Sequence, residues 1–171
     1  MNKAADIVQE MSADTAVGMN LTLKDFVIES NRVEGINRNP PQAELDAHRD
    51  FVRLEKLTTA DVEKFVTDCT SFRGTHGAVL RRKYGMNVTV GGYTPPPGGA
   101  NIEMELHKLL GDINFGLDPY EAHRRYESLH PFTDGNGRSG RAIWLWQMGP
   151  DGLTLGFLHA FYYQTLRAFK P

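Results

Sequence analysis

Apolar residues recur at helical spacing along most of the chain. Over residues 3–12 they fall at Ala4, Ile7, Val8 and Met11, one face of a 3.6-residue repeat. "SADTAVGMN" interrupts that repeat as a loop. Thr22 with Asp25 three residues on reads as an N-cap pair for "LKDFVIESNRVE", and Gly35 as its stop. After the connector "NRNPP", a helix is predicted over "AELDAHRDFVRLEKL", with Pro41 near its first turn. "TTAD" opens the next, "VEKFVTDCTSFRG". The pattern then changes over residues 74–100, which are rich in Gly and Pro. "MNVTV" alternates like a strand, and "GG" and "PPPGG" supply turns, so a short β-hairpin flap is expected there. Helical spacing resumes in "IEMELHKLLGDIN", with Ile102, Met104, Leu106, Leu109 and Leu110 as its apolar set. Asp118, Pro119 and Glu121 open "LDPYEAHRRYESLH". "GRSGRAIWLWQM" runs to Gly149-Pro150, and "TLGFLHAFYYQTLRAF" reads as a last helix. The fold class expected is all-α, a helical bundle with a short β-hairpin flap.

Composition narrows this picture without redirecting it. The 171 residues suit one domain, and 40% hydrophobic with 23% charged residues is ordinary for a globular chain. A chain of this size buries roughly 70% of its unfolded surface and needs no staple. Cys69 is the single cysteine, so no internal disulfide can form. The net charge of -2 offers no basic field for DNA. No apolar run approaches the ~20 residues of a membrane span. Asp6 and Glu10 interrupt the N-terminal stretch where a signal peptide needs an apolar core. The expectation is a soluble, cytoplasmic protein with no DNA or membrane partner.

The chemistry concentrates in "HPFTDGNGRSGR", residues 130–141. Gly135, Asn136 and Gly137 precede a helical run, so backbone N–H groups can turn toward one point where the helix N-terminus adds positive potential. Arg138 and Arg141 lie three apart at that end, and guanidinium groups suit phosphate oxygens. Asp134 is a hard oxygen ligand of the kind a phosphate-bound Mg²⁺ needs. His130 ends the preceding helix, stopped by Pro131, and can act as a general base. Each feature alone is commonplace: a capping His, a tight turn, two solvated arginines. Together within twelve residues they read as a polyphosphate and metal site with a base at its edge, suited to phosphoryl or nucleotidyl transfer.

This stretch resembles the Fic-family signature H-P-F-x-[D/E]-G-N-G-R-x-x-R, with every fixed position matched. The likeness extends over roughly residues 20–170 and is tightest at 119–148. It implies AMP transfer from ATP to a Ser, Thr or Tyr hydroxyl of a protein target, with self-modification as one outcome. His130 would be the base, and Asp134 would hold Mg²⁺, or Mn²⁺ in its place, against the phosphates. Gly135, Asn136 and Gly137 would form the anion hole, with the Asn136 side chain near the α-phosphate. Arg138 would bind the β-phosphate and Arg141 the γ-phosphate, while Phe132 would anchor the loop. Asn87, Val88, Thr89 and Val90 on the flap would pair with an extended target segment. Doc-type kinases carry Lys at the position of Gly137 and Ala at that of Gly135, so this chain resembles the nucleotidyl-transferring kind. Phosphocholine-transferring relatives keep a similar motif and are not excluded by it.

"SNRVEG", residues 30–35, resembles the inhibitory signature [S/T]-x-x-x-E-[G/N], placed as in the N-terminal, class II arrangement. Ser30 and Glu34 are four apart, on one helix face. The resemblance implies that Glu34 pairs with Arg141 and keeps ATP in an unproductive pose. The chain then divides into an extension at 1–19, an inhibitory helix at 20–37 and a catalytic core at 40–171, all one domain. Two alternatives remain open: removal of AMP from the target by way of Glu34, and a catalytically idle module that binds peptides. Relatives often form homodimers, and no residue here decides that.

Overall fold

A computed structural model describes residues 22–71 and 77–155. The helix expected over 3–12 lies outside these residues, as does all but the start of "TLGFLHAFYYQTLRAF". Helix α1, Leu23–Val33, opens with a reciprocal capping box: Thr22 Oγ1 accepts from Asp25 N at 3.2 Å, and Asp25 Oδ2 accepts from Thr22 N at 2.9 Å. It buries Leu23, Phe26, Val27, Ser30 and Asn31, a stripe that turns from apolar to polar toward its C-terminus. Glu34 is the C-cap residue, one step past the helix, and Gly35 follows at φ 72°. Only a residue without Cβ takes that left-handed stop cheaply.

Helix α2, Gln42–Val52, has Pro41 as its N-cap residue. It ends five residues short of the apolar pattern because tertiary partners take over the backbone. The Asn114 side chain bonds both the N–H and the C=O of Leu57, at 2.9 and 2.8 Å, and Trp146 Nε1 donates to Leu54 O at 2.7 Å. Helix α3, Thr59–Thr70, carries a second capping box, Thr58 with Asp61. Ser71 is its C-cap residue, and Phe72 to Gly74 of the predicted run lie outside the described residues; the Thr70 hydroxyl accepts from Ala78 N at 2.9 Å. Helices α4, Ala100–Asn114, and α5, Pro119–Leu129, follow. Asp118 caps α5 through the N–H groups of Tyr120 and Glu121. On α4 the buried set is Ile102, Leu106, Leu109, Leu110 and Ile113, whereas Met104 faces solvent.

The expected β-hairpin flap is not present. Among the described residues, Val90 and Tyr93 make one antiparallel bridge across the Gly91-Gly92 turn, and no ladder extends from it. The reason is visible in the return arm. Pro95, Pro96 and Pro97 have no N–H to donate, so the alternating arm has nothing to pair with. The flap is an irregular loop, and the described chain is all-α.

Helix α6, Asn136–Met148, sits at the centre, with α7, Pro150–Leu155, after it. Every residue from Asn136 to Leu145 is buried. On one side α6 joins a core of Phe51, Val62, Phe65, Leu106, Leu110 and Tyr126, among others. On the other, Trp144 and Leu145 pack with Leu23, Phe26 and Val27 of α1 and with Leu153. Helix α6 therefore has no solvent face for its polar residues, and each must find a partner inside.

Burial also sets an acid limit. His48, His123 and His130 are all pushed down to about 4, chiefly by loss of hydration. Below the ordinary histidine value the unfolded chain binds protons that the fold refuses, so these groups destabilise the fold as pH falls from 6.5 toward 4. Glu127 acts oppositely: burial raises it to about 7, so the fold gains from its proton as pH falls below 7. Three against one leaves a net loss of about 2–3 kcal/mol per pH unit between 6.5 and 4.5. Thermal melts should show a clearly lower Tm at pH 5 than at pH 7.5; an unchanged Tm would place these imidazoles in water.

Candidate active site

The loop between α5 and α6 is fixed from both sides. His130 is the C-cap residue of α5 in a left-handed conformation, φ 47°, and its N–H still bonds Tyr126 O at 2.9 Å. It is the one non-glycine residue at positive φ among those described, a cost that surrounding contacts must hold in place. Those contacts are plain. Leu80 bridges Phe132, Arg81 N bonds Pro131 O at 2.9 Å, and Thr133 N bonds Val79 O at 3.0 Å. Phe132 is fully buried in the core. The Asn136 side chain bonds both the N–H and the C=O of Phe132, each at 2.8 Å. Both ends of that amide thus hold the loop.

At the start of α6, Gly135 takes the N-cap position at φ 77° and no side chain caps the helix. The first-turn N–H groups of Asn136, Gly137 and Arg138 have no intrahelical acceptor by geometry. An anion belongs there, and the carboxylate of Glu34 lies close by, against Gly137 in the first turn: a Cβ on Gly137 would overlap it. Glu34 Oε1 accepts from Arg141 Nη2 at 2.6 Å. Arg141 is wholly buried, and its Nε and Nη2 also donate to Ser30 Oγ and Ser30 O at 2.8 and 2.9 Å. Ser30, Glu34, Gly137 and Arg141, 111 positions apart at the extremes, form one constellation.

Arg138 lies elsewhere. It is buried, donates from Nη1 to Cys69 O at 2.6 Å, and stands 3.9 Å from Glu44 Oε1. Glu44, itself fully buried, accepts from Asn31 Nδ2 at 3.0 Å and lies 3.7 Å from Arg38. The two arginines of the motif therefore diverge: Arg141 faces α1 and the anion position, Arg138 faces α2 and α3. Burial pushes the Cys69 thiol up against the opposing charge of Arg138, keeping it protonated and inert.

Asp134 is exposed at the mouth of the loop, with Oδ1 accepting from Gly135 N at 2.6 Å. Among the described residues no group of three or more His, Cys, Asp or Glu forms a metal cage. One exposed carboxylate beside an anion position fits a Mg²⁺ that shares its ligands with bound phosphates. His130 lies at the edge of this site. Desolvation and the charge of Arg81 hold it at about 4, while the Glu127 carbonyl, Glu34 and Asp134 pull the other way, so the ring is neutral at physiological pH. On the flap, Asn87 and Thr89 are exposed, Val88 is half-buried, and Val90 is spent on its bridge to Tyr93.

The Fic/DOC family model matches residues 48–148, more than half of the chain and the whole of "HPFTDGNGRSGR". The chain belongs to the Fic/DOC family. Family members act on protein targets and include nucleotidyl-transferring enzymes. The match begins after α1, so Ser30 and Glu34 stand outside it. No helix among the described residues is long and apolar enough to cross a membrane.

The sequence pattern did not single out Arg81, on which the geometry of this Fic site rests. Arg81 is fully buried, with Nε on His130 O at 2.8 Å, Nη2 on Leu129 O at 3.0 Å, and Nη1 on Pro96 O and Met86 O at 2.9 and 3.1 Å. One guanidinium thus caps the C-terminus of α5 and ties the flap to it. Its only sequence signal is a place in the basic triplet Arg81-Arg82-Lys83 within a Gly/Pro-rich run. Arg81→Ala would strip four carbonyls of their donor and should cost about 3 kcal/mol or more. A fall in the urea midpoint of that size is the expected result; a shift within error would mean that water replaces the guanidinium.

Proposed function

We propose that this Fic protein transfers AMP from ATP to a hydroxyl of a protein target and restrains itself through Glu34. The observation that carries the reading is the Glu34 carboxylate on Arg141, lying against Gly137 in the first turn of α6. A site that draws a carboxylate onto a helix N-terminus and a buried guanidinium is built for an anion, and a terminal phosphate carries the same oxygens. With Glu34 there, a γ-phosphate meets a like charge and an occupied arginine. With Glu34 withdrawn, Arg141 is open to it.

The reaction follows from the residues at the mouth. His130, neutral, takes the proton of the target hydroxyl, whose oxygen attacks the α-phosphorus as pyrophosphate leaves. A value near 4 makes a weak base. Bound phosphates add negative charge beside the ring and raise it toward neutrality, so the base strengthens when substrate arrives. Mg²⁺, or Mn²⁺, bound with the nucleotide would neutralise phosphate charge, and Asp134 is the residue that would hold it. By family resemblance Arg138 would bind the β-phosphate, which requires it to turn from Cys69 O and Glu44 toward the nucleotide. The stretch Asn87 to Val90 would pair with an extended target segment through Val88 and Thr89, since Asn87 N–H and Val90 are already bonded within the flap.

Glu34→Gly is the central test. Freeing Arg141 and removing the like charge should raise AMP labelling, of the protein itself or of extract proteins, on the order of 10-fold to 1000-fold. Adding Arg141→Ala should cancel the gain. Unchanged or lower labelling would sink the self-restraint, and loss of an AMP-removing activity would favour the reverse reaction. In the Glu34→Gly background, His130→Ala should lower labelling ~10²-fold or more with the fold intact. Asp134→Ala or EDTA should weaken ATP binding; activity that survives chelation would count against a metal.

A further inference from the structure

Glu127 lies one helical turn before His130 and has no part in the reaction as described so far. Its carboxylate is among the most buried in the chain: the side chain is 8% exposed. Room for it exists because residue 140 of α6 is glycine; a Cβ there would press on Glu127 Oε1. Oε1 has no hydrogen-bond partner among the described residues, and neither does His130 Nδ1. The other oxygen, Oε2, stands 4.0 Å from that same Nδ1. A carboxylate is thus brought into a buried hollow, facing the buried Nδ1 side of the imidazole.

We infer that Glu127 is a positioning residue for His130, its ionised carboxylate holding the ring with the proton on Nδ1 and leaving Nε2 to act as the base. The separation is one side-chain adjustment longer than a hydrogen bond, and such contacts tighten when substrate fills a site. The inference rests on the adenylyl-transfer reading for its chemistry. The target O–H bond breaks and its proton goes to Nε2. The oxygen–phosphorus bond forms, the bond to pyrophosphate breaks, and the imidazolium left behind points Nδ1–H at Glu127. The proton then passes from Nε2 to solvent.

The hollow makes the device depend on pH. Desolvation raises Glu127 to about 7, Glu34 adds to this, and Arg141 opposes it. The groups facing the pair are His123, Tyr126 and the Glu127 carbonyl on α5, Arg141 on α6, Glu34 on α1, and Arg81 and Asp134 beside the ring. Tyr126 stays a neutral phenol, its hydroxyl bonded to Ser139 at 2.7 Å. His123 stays neutral down to about 4. Near neutrality, then, Glu127 is the member of this group that changes charge. Ionised, it accepts Nδ1–H and favours the useful tautomer. Protonated, it can donate to Nδ1 instead, which places the ring proton on Nε2 and blocks the base.

Two readouts on the full chain test this. The first is the pH dependence of AMP transfer in the Glu34→Gly background, with and without Glu127→Gln. The rate of the Glu34→Gly protein should rise through a limb somewhat below pH 7, since the Glu34 charge that helps raise Glu127 is absent. Glu127→Gln should erase that limb and lower kcat at pH 8 on the order of 10-fold, with KM for ATP unchanged. The second needs no activity: ring ¹⁵N shifts of His130, assigned against His130→Ala, recorded from pH 6 to 8.5. The parent should pass from Nε2–H to Nδ1–H over that range, and Glu127→Gln should not. A limb that persists in Glu127→Gln, or one His130 tautomer throughout in both proteins, overturns the inference. A tautomer change in a protein that transfers no AMP supports Glu127 and sinks the adenylyl-transfer reading alone.

Discussion

A fully buried arginine is the constraint around which the chain is arranged. Arg141 projects from a helix that has core on every side, and a guanidinium cannot be deprotonated out of its difficulty. It must have acceptors, and the chain brings them from 111 residues away. Ser30 gives a hydroxyl and a carbonyl, and Glu34 gives the charge. That requirement explains the polar end of α1. Its stripe is Leu23, Phe26, Val27, then Ser30 and Asn31; the first three bury area against Trp144 and Leu145, and the last two meet buried polar groups. Helix α1 is therefore part of the packing of α6 and not an appendage to it.

The second motif arginine is solved by separate means. Arg138 uses a backbone carbonyl, Cys69 O, and a buried carboxylate, Glu44, that also holds Asn31 of α1. Glu44 thus connects the two arginine systems through one helix. Asn31 in turn accepts the N–H groups of Glu34 and Ile36 on its carbonyl, at 3.0 and 2.9 Å. The position of the Glu34 carboxylate is determined by this chain of bonds as well as by Arg141. A similar economy governs the other wall, where Arg81 serves the end of α5, the His130 carbonyl and the flap at once.

Much of the fold was legible because it obeys local rules. Thr22 with Asp25, Asp118 before Pro119, and Gly35 after Glu34 all behave in the structure as their spacing suggested. Family membership was legible in twelve residues. What failed depended on partners distant in sequence. Helix α2 stops early because Asn114 and Trp146 claim the backbone of Leu57 and Leu54. The flap forms no hairpin because alternation on one arm cannot pair with prolines on the other. The ligand roles of Asn136, which came from the family resemblance, and of Arg138, which came from its spacing to Arg141, are a separate matter: in this structure the loop and the core hold both side chains. Arg81, Glu44 and Glu127 were not singled out because a charge that will be buried has no local sequence mark.

The placement of Glu34 one residue beyond α1 matters for how it could move. A carboxylate in the middle of a docked helix could leave its partner only if the helix undocked, exposing Phe26 and Val27. At a C-cap followed by a glycine at φ 72°, the same carboxylate sits on the last backbone turn, where fraying costs least. Its side chain is about one-third exposed, so water can take over its charge as it leaves. Arg141 does not lose everything at that moment, since both Ser30 acceptors stay with the helix. The arrangement separates the two tasks of α1. The apolar residues and Ser30 keep the arginine in position, while the terminal carboxylate can exchange with an incoming anion at a cost smaller than unfolding any element of the core.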